Sequence, residues 1–244
     1  MKILVAVLAL VALVGEAAGQ PPPSLRGRTI AIDPGHNGGN ARQAARIARL
    51  VDAGTHRKAC DTVGARTAAG YPEHAHNLDV ALRLAVLLRR AGARVVLTRG
   101  TNTGWGPCIT RRAAIGNRVR ADAAISIHAD GGPAGGRGFH VIHPARIRGL
   151  TDDIAAPSYR LALALRRAYR TGTGMPYATY TARAGLSSRS DLGGLNLSDV
   201  PKVFLEAGNM RNETDARLLS SSGFRQREAN AIAQALASYL RAQG

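Results

Sequence analysis

An α/β fold, a single domain with a mostly parallel twisted sheet flanked by helices on both faces, is predicted by three observations. Apolar strand-like runs alternate with stretches of helical periodicity and no hairpin signal joins them, which implies parallel pairing through right-handed crossovers. The length, 244 residues, suits one domain with a substantial core. Three apolar runs also end abruptly at an ionisable residue: Ala31-Ile32-Asp33-Pro34-Gly35-His36, Ala124-Ile125-Ser126-Ile127-His128 and Val203-Phe204-Leu205-Glu206. In an open parallel sheet the carboxyl ends of strands share one edge, where ligands collect. Two histidines and a glutamate at strand tips therefore read as one site.

Taken in order, Met1 to Gly19 has the form of a secretory signal peptide: Lys2, an apolar run from Ile3 to Val14, then small residues. The run is too short to cross a bilayer, and no other segment reaches that length. A retained anchor is the alternative. Residues 20–27, opening with Gln20-Pro21-Pro22-Pro23, read as a stiff leader, and 28–244 as the folded domain. The first strand is expected over Arg28 to Asp33. Residues 40–70, rich in Ala, Arg and Gly, read as a long, partly helical excursion. A helix is expected from Asn77 to Ala91, with Leu78, Leu82, Ala85 and Leu88 on one face, stopped by Gly92. A strand follows at Arg94 to Arg99, a loop at Gly100 to Pro107, a helix from Ile109 to Arg120 and a strand from Ala123 to Ile127. The glycine-rich Gly131 to Gly138 leads into a strand at Phe139 to Ile142, then a helix from Pro157 to Tyr169. Residues 171–200 are long for a connection and are expected to carry function or a small hairpin. A strand at Lys202 to Leu205 and helices near Asn212 to Leu219 and Phe224 to Leu240 complete the chain.

Cys60 and Cys108 are the two cysteines. In an exported chain they read as a disulfide rather than a metal clip, closing a loop of about 48 residues and stabilising the fold by roughly 4 kcal/mol on a chain-entropy estimate. Lys and Arg number 33 against 16 Asp and Glu, a net charge of +17. Such an excess favours anionic partners. Export argues against nucleic acid, which leaves membrane lipid or an anionic cell-wall polymer as candidates, although arginines scattered over helices equally describe solvated faces.

Histidine and carboxylate ligands in a set of three, with water in the fourth position, are what a catalytic zinc site requires. Of the seven histidines, only His36 and His128 end strands, as Glu206 does among the glutamates. Glu73 lies ahead of the Asn77 helix on the same edge. A glutamate inside an apolar strand demands a partner, because an unpaired charge taken from water costs several kcal/mol. His74 and His76 flank Glu73 and read as exposed helix-start histidines. Ser187, Ser188 and Ser190 lack the turn of a serine nucleophile.

Several of these segments, in order, resemble the zinc-dependent N-acetylmuramoyl-L-alanine amidases of the amidase_3 type. They are Thr29 to His36, Glu73 with Asn77, Leu97-Thr98-Arg99, Arg112 and Asn117, Ala121 to Asp130, and Val200 to Asn209 with Asn212. The resemblance implies a Zn2+ ion held by His36, Glu73 and His128, Glu206 as catalytic carboxylate, and hydrolysis of the amide joining N-acetylmuramic acid to L-alanine in peptidoglycan. With the signal-like N-terminus, a secreted chain at work in the periplasm or cell wall is expected, a monomer on a peptidoglycan or muropeptide substrate. Asn77, Asp130 and His140 are expected as substrate contacts. Two departures stand out: Asp130 replaces a usual asparagine, and Gly208-Asn209-Met210 replaces Gly-Phe. A non-catalytic wall-binding or activator protein and a zinc peptidase acting within the stem peptide are the rival readings.

Overall fold

A computed structural model describes residues 24–243; the expected signal segment and the leader as far as Pro23 lie outside the described residues. The strands are β1 (Thr29–Pro34), β2 (Leu50–Asp52), β3 (Arg57–Ala59), β4 (Arg94–Leu97), β5 (Ala123–Asp130), β6 (His140–Pro144), β7 (Leu186–Arg189) and β8 (Lys202–Asn209). The helices are α1 (Ala44–Ala48), α2 (Glu73–Arg90), α3 (Ile109–Arg118), α4 (Ala155–Thr173), α5 (Gly193–Asn196), α6 (Glu213–Ser220) and α7 (Ser222–Arg241). None of the described helices is long and apolar enough to cross a membrane.

A six-stranded sheet runs in the order β4-β1-β5-β8-β6-β7, and β4, β1, β5 and β8 are mutually parallel, as expected. The sheet is mostly parallel, as expected; the exception is β6, which runs antiparallel to β8 and carries β7 parallel to itself. The reason is the short link from Asp130 to His140. A parallel return needs a crossover of a dozen residues or more, so the chain re-enters the sheet from the edge it has just left.

Side chains alternate across a strand, and here the alternation divides the molecule. Ile30 and Ile32, Ile125, Ile127 and Ala129, and Val203, Leu205 and Ala207 all face one buried cluster with the helices α2, α4 and α7. Each large aliphatic side chain so buried contributes about 1.5–3 kcal/mol. The alternate positions present Asp33, Ser126, His128, Phe204 and Glu206 to the other face, around a cavity of about 290 Å³.

Two stretches that were featureless in sequence acquire form. The 40–70 excursion, expected to be partly helical, contains only the short α1 and a 3-10 turn (Asn40–Gln43), then the β2–β3 hairpin. The hairpin leads into Cys60, which is bonded to Cys108 as expected. Residues 171–200 supply β7 and α5 rather than a self-contained hairpin. Helix α2 begins at Glu73, one turn before its expected start. Pro72 supplies the extended residue ahead of it, and a carboxylate in the first turn is favoured by the helix dipole.

Candidate metal and catalytic site

The turn after β1 places His36 in the left-handed region, at φ 56°, a conformation that costs a non-glycine residue energy and that surrounding contacts must hold. Those contacts are unusually many. Arg112 of α3 donates to the carbonyls of Pro34 (2.8 Å) and His36 (3.0 Å), and Arg99 to those of Pro34 (3.0 Å) and Gly35 (2.9 Å). The His36 ring is aimed by its Nδ1, which lies 3.2 Å from Asp61 Oδ1 and 3.0 Å from the Thr62 carbonyl. Both are acceptors, so Nδ1 carries the proton and Nε2 is left free to bind a cation.

His36 Nε2 lies 3.2 Å from Glu73 Oε1, and His128 Nδ1 lies 3.0 Å from the same oxygen. One donor atom from each of His36, Glu73 and His128 falls within 4.8 Å of the others. Among the described residues no other group of histidine, cysteine, aspartate or glutamate converges in this way. The Glu73 carboxylate is itself fixed: the Ala65 amide donates to Oε2 (2.7 Å), and the Ala129 amide (3.2 Å) and Asn77 Nδ2 (3.3 Å) donate to Oε1. His128 stacks on Phe204 with ring centroids 5.2 Å apart and planes 10° from parallel.

Two imidazoles, half-buried, and a buried carboxylate, already oriented by other groups, match the donor set of a catalytic zinc site, which binds such rings in their neutral form. Protonation reports the same cation-seeking field. Burial opposes a charge on His36, but Glu73 and Asp61 outweigh it and raise the ring to about 10. Burial likewise opposes the Glu73 carboxylate, yet His36 and His128 hold it well below the ordinary range. A metal ion binding here displaces protons from the same atoms.

Gly35 leaves room for this arrangement. A Cβ there would sit 2.1 Å from the His128 ring. Gly35→Ala is therefore expected to push the ring away from the other two donor groups and weaken metal binding more than about tenfold, while the far-UV circular dichroism stays unchanged. Zinc titration against a chromophoric chelator measures it, and an unaltered affinity would show that the ring can adapt.

Glu206 stands directly across the sheet from His128 on one side and His140 on the other. Burial first, then the charges of Glu73 and Asp130, raise its carboxyl well above the usual carboxylate range. It lines the cavity together with Phe204, Arg112, Lys58 and Arg189.

The three expected substrate contacts fare differently. Asn77 is wholly buried, and its amide nitrogen donates to Glu73 and to the Gly35 carbonyl. His140 is only 4% exposed, with Nδ1 lacking a partner, and burial lowers its pKa to about 4. It is a neutral, shielded neighbour of Glu206 rather than part of the cavity wall. Asp130 remains half-exposed beside the site and accepts from Tyr180 Oη at 3.1 Å. His76, expected to be exposed, is fully buried against Glu228. The sequence reading missed Asp61, whose one available signal was its place next to Cys60, and it gave no role to Arg112.

Residues 30–238 match the family described as Amidase_3, N-acetylmuramoyl-L-alanine amidase. The chain belongs to that family. It is 41% identical over 229 residues, covering 94% of this chain and 93% of the relative, to an N-acetylmuramoyl-L-alanine amidase of Mycobacterium tuberculosis. The crystal structure of the amidase Ami1 from Mycobacterium smegmatis matches with TM-score 0.85 at 40% identity, over 90% of this chain and 100% of that one. Ami1 from Mycobacterium abscessus matches with TM-score 0.83, also at 40% identity, over 88% and 100% respectively. In this amidase β6 and β7, parallel to each other and antiparallel to β8, extend the sheet beyond Glu206 and bring Arg189 to the cavity wall.

Proposed function

We propose that this amidase hydrolyses the amide between the lactyl group of N-acetylmuramic acid and the L-alanine of the stem peptide. In this reading His36, Glu73 and His128 hold zinc, and Glu206 handles the proton. The observation that carries it is the convergence of the three donor atoms within 4.8 Å at the edge where Glu206 lies. When bound, zinc supplies a Lewis acid that polarises an amide carbonyl and makes water nucleophilic at neutral pH.

The remaining work falls to the protein. Asp61 and the Thr62 carbonyl keep Nε2 of His36 turned inward. Phe204 holds the His128 ring flat against β8. Glu206, whose carboxyl pKa is pushed upward by burial and by the nearby Glu73 and Asp130, takes a proton from attacking water and returns it to the departing amine of L-alanine. The cavity beside it, walled by Ile109, Ile142, Leu192 and Phe204, receives the substrate and excludes water. Export to the wall compartment accords with the apolar N-terminal run and the disulfide, and the charge of +17 with an anionic wall polymer as neighbour.

Digestion of purified muropeptides followed by mass spectrometry tests the reading. Free stem peptides beginning with L-alanine are expected. Dipicolinate should abolish their release, and added zinc should restore it. Cleavage after alanine, or release that survives complete removal of metal, would overturn it.

A further inference from the structure

On the helical face of the sheet, behind the site, lies a run of polar groups that the reaction above leaves unused. His76 of α2, Glu228 of α7 and Tyr169 of α4 are all fully buried. His76 Nε2 is 3.0 Å from Glu228 Oε2, and Tyr169 Oη is 2.6 Å from Glu228 Oε1. Tyr169 Oη also lies 2.9 Å from the carbonyl of Ala207, the residue after Glu206. In the other direction His76 Nδ1 is 3.2 Å from Asn77 Oδ1, and Asn77 Nδ2 is 3.3 Å from Glu73 Oε1. The run thus starts at a ligand of the ion and ends on the strand that carries Glu206.

Its hydrogen-bond directions are set by its ends. Asn77 Nδ2 faces two oxygens that only accept, Glu73 Oε1 and the Gly35 carbonyl, so its own carbonyl must face His76 and Nδ1 must donate. Nε2 faces a carboxylate oxygen. A ring that donates at both nitrogens is an imidazolium, and Glu228 is its counter-charge. Burial opposes that charge, while Glu228 raises the His76 pKa in spite of it.

A buried ion pair is a poor device for stability, because well-packed apolar residues in its place are often neutral or stabilising. Three helices could be joined without it. What the ion pair adds, and apolar packing does not, is direction: each member fixes where the next one points. Here the directed groups end at both halves of the site.

We propose that Glu228 is a positioning residue for catalysis: through Tyr169 it sets β8 at Glu206, and through His76 and Asn77 it sets the Glu73 carboxylate. This rests on the amidase reading for its kinetic consequence, but its consequence for metal binding does not depend on that reading.

The test uses the zinc-loaded full chain as wild type, Tyr169→Phe, Glu228→Gln and the double variant. Three quantities are measured: zinc affinity by chelator competition, kcat and KM on a muropeptide, and the urea midpoint. Tyr169→Phe removes only the arm to β8, so kcat is expected to fall about tenfold with KM and zinc affinity unchanged. Glu228→Gln cuts both arms, so the same fall in kcat is expected together with a zinc affinity at least about tenfold weaker. The double variant should be no slower than Glu228→Gln, since both changes act through one network. If the variants shift the urea midpoint while kcat and zinc affinity stay at wild-type values, the network is structural only and the proposal fails. Should Glu228→Gln not fold, Tyr169→Phe, which deletes a single hydroxyl, decides by its kcat. A wild type that binds zinc but releases no stem peptide sinks the amidase reading instead, and the zinc affinity of Glu228→Gln then decides the positioning role.

Discussion

Glu206→Gln is expected to keep its metal and lose turnover by about a thousandfold, within the range of general acid-base contributions. The amide is the same size as the carboxyl but cannot accept a proton from water or pass one to a leaving amine. Zinc content should be unaffected, because the converging donors belong to His36, Glu73 and His128 and not to Glu206. Stability supplies an independent check. The folded-state pKa of Glu206 is raised, by burial and then by Glu73 and Asp130, so ionising it costs the native state more than the unfolded chain. That cost is absent at pH values below the unfolded carboxyl pKa and grows as the pH rises above it. In the metal-free protein, Glu206→Gln should therefore melt at or above the wild type near neutrality and show no advantage in acid. An active site that is less stable than its inactive variant is the usual relation between catalysis and fold. Equal turnover in the two proteins would remove Glu206 from the chemistry, and loss of zinc would move it into the ligand set.

The strand-tip residues were legible because the physics that writes them is local. An apolar run that stops at a histidine or a glutamate marks both a strand and its exposed end, and parallel topology then places His36, His128 and Glu206 on one edge. Glu73 was legible only as a glutamate ahead of a helix, and its carboxylate comes into line because α2 begins a turn earlier than its leucine pattern shows. Asp61 was not legible. Its partners His36 and Arg112 are 25 and 51 residues away in sequence, and it lies in an excursion whose path is set by a hairpin and a disulfide rather than by periodicity. The direction of β6 was hidden for a related reason, since a glycine-rich link from Asp130 to His140 carries no turn signature that distinguishes return from crossover. His76 was misjudged because its burial depends on α7, whose Glu228 is 152 residues away. Asp33 and Lys202 form a buried pair at 3.4 Å, each with its charge turned away from the apolar face; alternation makes such a pair possible, but only tertiary contact shows it.

Arg112→Met is expected to be the most damaging single change outside the ligands. Burial lowers the pKa of the guanidinium, but Asp33 and Asp61 overcome it and hold the side chain charged. Its Nε donates to the Pro107 carbonyl at 2.8 Å. One terminal nitrogen serves Asp33 Oδ1 and the Pro34 carbonyl, both at 2.8 Å. The other serves the His36 carbonyl at 3.0 Å, Asp61 Oδ2 at 3.0 Å and the Gly106 carbonyl at 3.1 Å. All five donors of the fork are engaged, and their acceptors come from the β1 turn, the disulfide segment and the loop before α3. Methionine fills similar space and leaves Asp33 and Asp61 short of a counter-charge in a dry interior, a loss of about 3–5 kcal/mol, read as a lower urea midpoint at unchanged m-value. The second effect is on the site. Without the guanidinium the left-handed turn at His36 and the Asp61 carboxylate that orients its ring are no longer tied together, so zinc affinity should fall by about 10–100-fold. Arg112→Lys separates the two effects: an ammonium restores a charge beside Asp33 or Asp61, but as a compact point charge it cannot span both together with the His36 carbonyl. That variant should recover part of the stability and little of the zinc affinity. If instead the two quantities recover in step, the turn is held by charge alone, and the geometry of the fork has no part in aiming His36.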